Sequence, residues 1–230
     1  DRTVVSIFVN PLQFGPGEDF ERYPRDFDRD LRALDGHAVD TVFAPLVSEI
    51  YPPGRAARGG GGGVEGVPEV CHRPGHVAGV ATGIAKPFGA PNPDPAYFGQ
   101  KDAQQAAVIS HLAEDLGTGI TVRVCPIVRE SDGLALSSRN AYLDPAARRA
   151  ALVLSRSLRR ANDAYVVGER DHVALLRALR QEMATEPLVL PDYAELVDPA
   201  DFRSPGHLAV LAATVGTTRL IDNHLLGERF

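Results

Sequence analysis

The stretch Ala96–Val128, AYFGQKDAQQAAVISHLAEDLGTGITVRVCPIV, decides the fold. Ala96-Tyr97-Phe98 is an apolar strand that runs into Gly99. Helical spacing takes over across Asp102–Leu116, where Ala106, Val108, Ile109, Leu112 and Leu116 recur on one face, and Gly117 stops it. Alternation over Ile120–Val128 predicts the next strand. A strand, a covering helix and a second strand in this order form a parallel unit. The turn Gly99–Gln105 therefore falls where a strand's carboxyl end meets a helix's amino end, the usual ligand crevice of an open α/β sheet.

Working outward, Thr3–Val9 is apolar on both faces and ends at Asn10-Pro11, as a central parallel strand should. Phe20–Leu34 is charged and periodic and predicts a surface helix. Thr41–Ala44 is a short strand closed by Pro45. Gly59–Gly63 reads as a mobile loop and His76–Lys86 as a helix. The character changes after about Ile127. Pro145–Ala164 and Asp171–Ala184 are amphipathic helices, and Asp192–Val197 and His207–Asp222 predict strands of a small antiparallel sheet. The expected class is α/β, a parallel sheet with covering helices (residues 1–127) followed by a smaller α+β domain (residues 128–230).

Bulk properties narrow the function classes. The chain has 230 residues, of which 44% are hydrophobic and 23% charged, ordinary for a soluble globular protein. A net charge of −6 without any run of Lys or Arg argues against a nucleic-acid partner. The apolar stretches are too short to span a membrane, and no charged-then-apolar leader is present. Cys71 and Cys125 make no disulfide framework, which fits a reducing cytoplasm. The sequence opens at Asp1 directly into an apolar run, so residues are expected before it.

Three loops carry chemistry. In the first, Gly99 permits close approach, Gln100 and Lys101 add a donor and a charge, and Asp102 caps the helix or holds a ribose hydroxyl. Free N–H groups and the helix dipole favour an anion there. A capped helix with an exposed lysine explains the same spacing. The second loop is Asp132–Asn140. Ser137 and Ser138 offer hydroxyls, Arg139 is a permanently charged fork, and Gly133 offers a hinge for closure over a nucleotide. A polar linker is the alternative. The third is Asn10–Gly15, where Gln13 orients a hydroxyl or carboxylate, or where Pro11 and Gly15 simply build a turn.

Other groupings are weaker. Cys71, His72, His76 and Cys125 match no standard zinc spacing. Asp28 and Asp30 near Tyr23-Pro24-Arg25 read as a solvated helix face before they read as a magnesium site, and the charges of Arg148–Arg160 read as another solvated face.

At these residues the chain resembles the pantothenate synthetase (pantoate–β-alanine ligase) family of nucleotidyltransferases. The matching text is VSIFVNPLQFG (Val5–Gly15), Tyr23-Pro24-Arg25, Arg73-Pro74-Gly75-His76 with Gly79–Thr82, AYFGQKDAQQ (Ala96–Gln105), VRESDGLALSSRN (Val128–Asn140) and TTRLIDN (Thr217–Asn223). The resemblance implies a Rossmann-like amino-terminal domain, a carboxyl-terminal lid and a homodimer. It implies ATP-dependent condensation of pantoate with β-alanine, with Mg2+ accompanying ATP. Carried over by position, Gly99, Gln100, Lys101, Asp102, Val128, Leu136, Ser137, Ser138 and Arg139 bind ATP, Lys101 and Arg139 act on the phosphates, and Gln13 and Gln105 hold pantoate, with Gln13 near β-alanine. The family's H-x-G-H signature, with the first strand and helix, is expected before Asp1; none of the seven histidines replaces it by spacing. A non-catalytic relative, or a nucleotidyltransferase acting on another acid, is the rival reading.

Overall fold

A computed structural model describes residues 2–15, 18–53, 93–203 and 205–230. The expected loop Gly59–Gly63, the helix His76–Lys86 and the Cys71, His72 and His76 grouping lie outside these residues. The described chain is mixed α/β, with two parallel strand pairs and one antiparallel sheet.

Strand β1 (Val4–Ser6) pairs in parallel with β2 (Thr41–Phe43) in the register Val4↔Thr41. Helices α1 (Phe27–Leu34) and α2 (Val47–Ile50) flank β2 in sequence. Strand β3 (Ala96–Gly99) pairs in parallel with β4 (Val122–Cys125), and α3 (Ala103–Asp115) connects them. The expected strand–helix–strand unit is therefore present.

Prolines account for two departures from expectation. Phe20–Leu34 is not one helix: a 3₁₀ turn at Phe20–Arg22 ends before Pro24, with Tyr23 extended at ψ 128°, and α1 restarts behind the Asp26 cap. A residue preceding proline is pushed out of the helical region. Ile120–Val128 yields only Val122–Cys125 as strand, because Pro126 has no N–H to continue the ladder. The first strand is also shorter and less covered than expected, with Val4 42% exposed.

The carboxyl-terminal half begins with α4 (Pro145–Val166), whose entry is set by Asp144. Its Oδ1 accepts from the N–H groups of Ala146 and Ala147, both at 2.8 Å, and Pro145 takes the first helical position. Helix α5 (His172–Met183) follows. Strands β5 (Val189–Val197), β6 (Leu208–Val215) and β7 (Thr218–Leu225) form the antiparallel sheet in that order. The single strand expected over His207–Asp222 is in fact a hairpin, turned at Gly216 with φ +61°.

Both faces of this sheet are covered. On one, Leu211 and Val215 pack with Leu158, Leu175 and Leu179 of α4 and α5, all essentially solvent-free. Burying such a side chain stabilises by about 1.5–3 kcal/mol. On the other, Val197, Leu208 and Val210 meet Val108 and Ile109 of α3. That second contact brings the carboxyl-terminal sheet against the helix that follows Lys101.

Arg148 is not the purely solvated residue expected. Its guanidinium bridges Glu130 at 2.8 Å and Asp132 at 2.7 Å, and Glu130 also accepts from Asn140 at 2.7 Å. Gly133, read as a hinge, sits at φ +95° in a pinned turn. Its N–H donates to Glu130 O at 2.8 Å and its carbonyl accepts from Arg129 Nη1 at 3.2 Å. Hydrogen bonds from Arg148 hold the Glu130 and Asp132 carboxyls below their ordinary values of 4.5 and 3.8. Because the folded values lie below the unfolded ones, this contribution is complete above the ordinary carboxylate range and fades as pH falls through the depressed values. Arg148→Met should cost about 1 kcal/mol or less per lost pair at pH 7, and its deficit should shrink steadily in acid as the pH falls through the depressed carboxyl values. Urea unfolding at pH 7 and along a descending acid series checks this; a deficit unchanged in acid would rule the network out as its source.

Candidate functional site

Three turns converge on one cavity of about 300 Å³, at the small end of ligand sites. The first follows β1. Asn10 is buried, and its Oδ1 accepts from Leu12 N–H at 3.1 Å and from the Tyr51 hydroxyl at 2.8 Å. Pro11 then opens a 3₁₀ turn ending at Gln13. The Gln13 amide reaches Gln105, with Nε2 3.5 Å from Gln105 Oε1, at the limit of a hydrogen bond. Two amides expected at a common substrate are thus neighbours across 92 residues of chain.

The second turn is Gln100–Asp102, between β3 and α3. It is held from the far end of the chain. Asn223 on β7 donates through Nδ2 to the carbonyls of Gln100 at 2.9 Å and Lys101 at 3.1 Å, and accepts from Gln100 Nε2 at 3.2 Å. Asn223 is buried, as is its neighbour Asp222, which takes both prongs of Arg129 at 2.7 and 3.0 Å. Asp102 stands at the start of α3 but caps nothing; its exposed carboxylate lines the cavity instead.

The third turn is Ser138–Tyr142. Ser137 Oγ accepts from Arg139 N–H at 3.3 Å. Asn140, buried behind it, donates to Glu130 and to the carbonyl of Ala135 at 3.0 Å, which fixes the turn from below. The Arg139 guanidinium sits against the edge-on pair of Phe14 and Tyr23, 5.9 and 5.7 Å from their ring centroids, and Asp19 holds it at 2.8 and 2.7 Å. The hydrogen bond from Arg139 outweighs burial and keeps the Asp19 carboxyl below its ordinary value, and the same contact raises the guanidinium.

Of the residues singled out from sequence, Gln13, Lys101, Asp102, Gln105, Ser137 and Arg139 line this cavity together. Gly99, Gln100, Val128, Leu136 and Ser138 do not. The Gln100 amide is occupied by Asn223. Val128 and Leu136 are joined by a backbone hydrogen bond of 2.9 Å and stand 66% and 55% exposed beside the Ser137 turn. Cys125 is an exposed free thiol, and Asp28 and Asp30 are exposed on α1.

Sequence reasoning missed several contributors. Asp19 lies in an unremarkable polar loop with no spacing signal. The pair Asp222-Asn223 stands in a motif that the resemblance includes, but nothing local says what it grips. Gln104 also lines the cavity, and its buried Nε2 has no hydrogen-bond partner.

The chain is similar to known proteins over nearly its whole length. The family model described as pantoate-beta-alanine ligase matches residues 1–225. Pantothenate synthetase of Roseiflexus castenholzii is 49% identical over 231 residues, covering 98% of this chain and 83% of that protein. Pantothenate synthetase of Thermus thermophilus superposes with a TM-score of 0.92 at 42% identity, over 98% of this chain and 83% of that one. Pantoate-beta-alanine ligase of Francisella tularensis, solved with beta-gamma ATP and beta-alanine, superposes at 0.82 and 30% identity, over 100% and 81%. On this identity and coverage, the chain belongs to the pantoate-beta-alanine ligase family.

Proposed function

We propose that this ligase condenses pantoate with β-alanine at the expense of ATP through the cavity just described. The observation that carries the reading is that Lys101 and Arg139, 38 positions apart, line one cavity with the Gln13–Gln105 amide pair. Two cations beside two amides match a triphosphate next to a hydroxy acid. Identity of about one half to a pantothenate synthetase over nearly the whole chain favours an active ligase over a non-catalytic relative.

In this reading the pantoate carboxylate attacks the α-phosphorus. A P–O bond forms, the bond to the bridging oxygen breaks, and pyrophosphate leaves. The β-alanine amine then attacks the acyl carbon of the pantoyl adenylate, and AMP leaves. Phosphoryl transfer needs little covalent help from the protein; it needs fixed charge where charge builds up. Lys101 and Arg139 supply it, with the Ser137 hydroxyl as an added donor. Gln13 and Gln105 orient pantoate so that its carboxylate meets phosphorus. Val128 and Leu136 form an exposed apolar shelf for the adenine beside Ser137 and Ser138.

Residues 1–127 then act as a Rossmann-like domain binding nucleotide and pantoate, and 128–230 as its lid. Mg2+ enters with ATP. Among the described residues no three His, Cys, Asp or Glu side chains gather as a metal site, and Asp102 is the exposed carboxylate on the cavity wall. That donor set fits an ion held by the nucleotide's own phosphate oxygens, where it neutralises charge. No helix among the described residues is long and apolar enough to cross a membrane. A cytoplasmic homodimer completes the proposal.

In a full-length chain, Lys101→Ala and Arg139→Ala should each slow pyrophosphate release by about 10²–10³-fold, the usual cost of removing a charge-stabilising donor. Near-normal turnover in either variant would refute that residue's role. Gln13→Ala should chiefly weaken pantoate, read by calorimetry; an unchanged pantoate affinity speaks against the amide pair. Sedimentation should give twice the 24.6 kDa chain mass, and a monomer would exclude the dimer.

A further inference from the structure

Asp19 does not line the cavity, yet it takes two of the N–H groups of Arg139, which does. Guanidinium is planar and carries five N–H bonds in fixed directions. Asp19 engages the edge formed by Nε and Nη2, while the ring centroids of Phe14 and Tyr23 stand 5.9 and 5.7 Å from the guanidinium carbon. What is left for a ligand is the far edge of the fork, both N–H bonds of Nη1 and the second of Nη2.

The segment carrying Asp19 is itself organised. Phe14 meets Phe20 and Tyr23 edge-on at 5.2 and 5.5 Å, and Arg25 donates to the carbonyls of Phe20 at 2.7 Å and Tyr23 at 3.3 Å. A second grip lies one turn further along the arginine's own loop: the Tyr142 hydroxyl donates to Arg22 O at 2.6 Å, and the Arg22 guanidinium lies 5.5 Å over the Tyr142 ring. The Ser138–Tyr142 turn is therefore seized at two points by Phe14–Arg25.

A carboxylate on such an arginine either fills the ligand's place until displaced or holds the arginine from behind. The cavity lining includes Arg139, Phe14 and Tyr23 but not Asp19, so the carboxylate approaches from the rear. We propose that Asp19 is a positioning residue for nucleotide binding, gripping one edge of Arg139 so that its remaining N–H groups meet a phosphate oxygen. This rests on the phosphate-binding role of Arg139 given above. The two accounts differ in sign. Simple Coulomb repulsion says that neutralising Asp19 helps a polyanion bind; positioning says that it hurts, because the arginine keeps its charge and loses its aim.

The test is steady-state pyrophosphate release with ATP varied, on the wild-type chain and the variants D19N, D19E, R139A and D19N/R139A, with the unfolding midpoint read for each. D19N should lower kcat/KM for ATP about ten- to a hundredfold, the scale of a misplaced catalytic group, with the pantoate KM within about twofold. D19E, which keeps the charge, should recover part of the loss. The double variant should be no worse than R139A. An ATP kcat/KM for D19N that is unchanged or improved overturns the proposal, as do losses that multiply in the double variant. If D19N does not fold, D19E decides: full wild-type kinetics with the carboxylate displaced by a methylene would overturn the aim argument. R139A at wild-type rate would instead overturn the phosphate role on which it rests, a result distinguishable from failure at Asp19 alone.

Discussion

Asn223 joins the two halves of this molecule at the point where the chemistry is expected. Three hydrogen bonds from one buried amide hold the Gln100–Lys101 turn, and the adjacent Asp222 clamps Arg129 in the same strand end. An amide buried with every bond made is rigid, because any displacement leaves a donor or acceptor desolvated and unmatched. The turn that carries Lys101 thus takes its position from β7, not only from the strand and helix on either side of it. Without that contact α3 would still pack through Val108 and Ile109, but the lysine would sit on an unbraced loop.

Arg139 is braced by the same logic from different partners. Asn140 ties its turn to Glu130 and Ala135, Arg148 ties Glu130 to α4, and Asp19 holds the guanidinium from the opposite side. The two cations therefore reach one cavity along supports that meet at Arg129, which is held by Asp222 and donates to the carbonyl of Gly133. The proposed phosphate site relies on pre-set charge, since reorganising charged groups during the reaction would return much of the gain.

Parts of this were legible in the chain and parts were not, for identifiable reasons. The β3–α3–β4 unit was readable because Ala106, Val108 and Ile109 repeat at helical spacing and Gly117 ends the repeat. Helices α4 and α5 were readable on the same grounds. Pro24 and Pro126 set limits that periodicity alone overran, and the hairpin at Gly216 was hidden because the almost wholly apolar run Leu208–Val215 is separated from Thr218–Leu225 by only two residues. Arg148 looked like one more surface charge. Its carboxylate partners lie 16 and 18 residues away around a turn whose path no spacing rule reports.

What the sequence determined by itself was local: apolar periods, caps such as Asp144-Pro145, and loops furnished with cations and amides at the ends of strands, in an order that matches one family of ligases. What only the tertiary structure decided was which of those loops meet. Backbone and side-chain preferences act over a few residues, whereas the meeting of Gln13 with Gln105, of Asp19 with Arg139 and of Asn223 with Lys101 spans 92 to 122 positions. Such contacts follow from burial of two faces of one small sheet and from the need to satisfy every buried polar group, and both conditions exist only once the whole chain has closed.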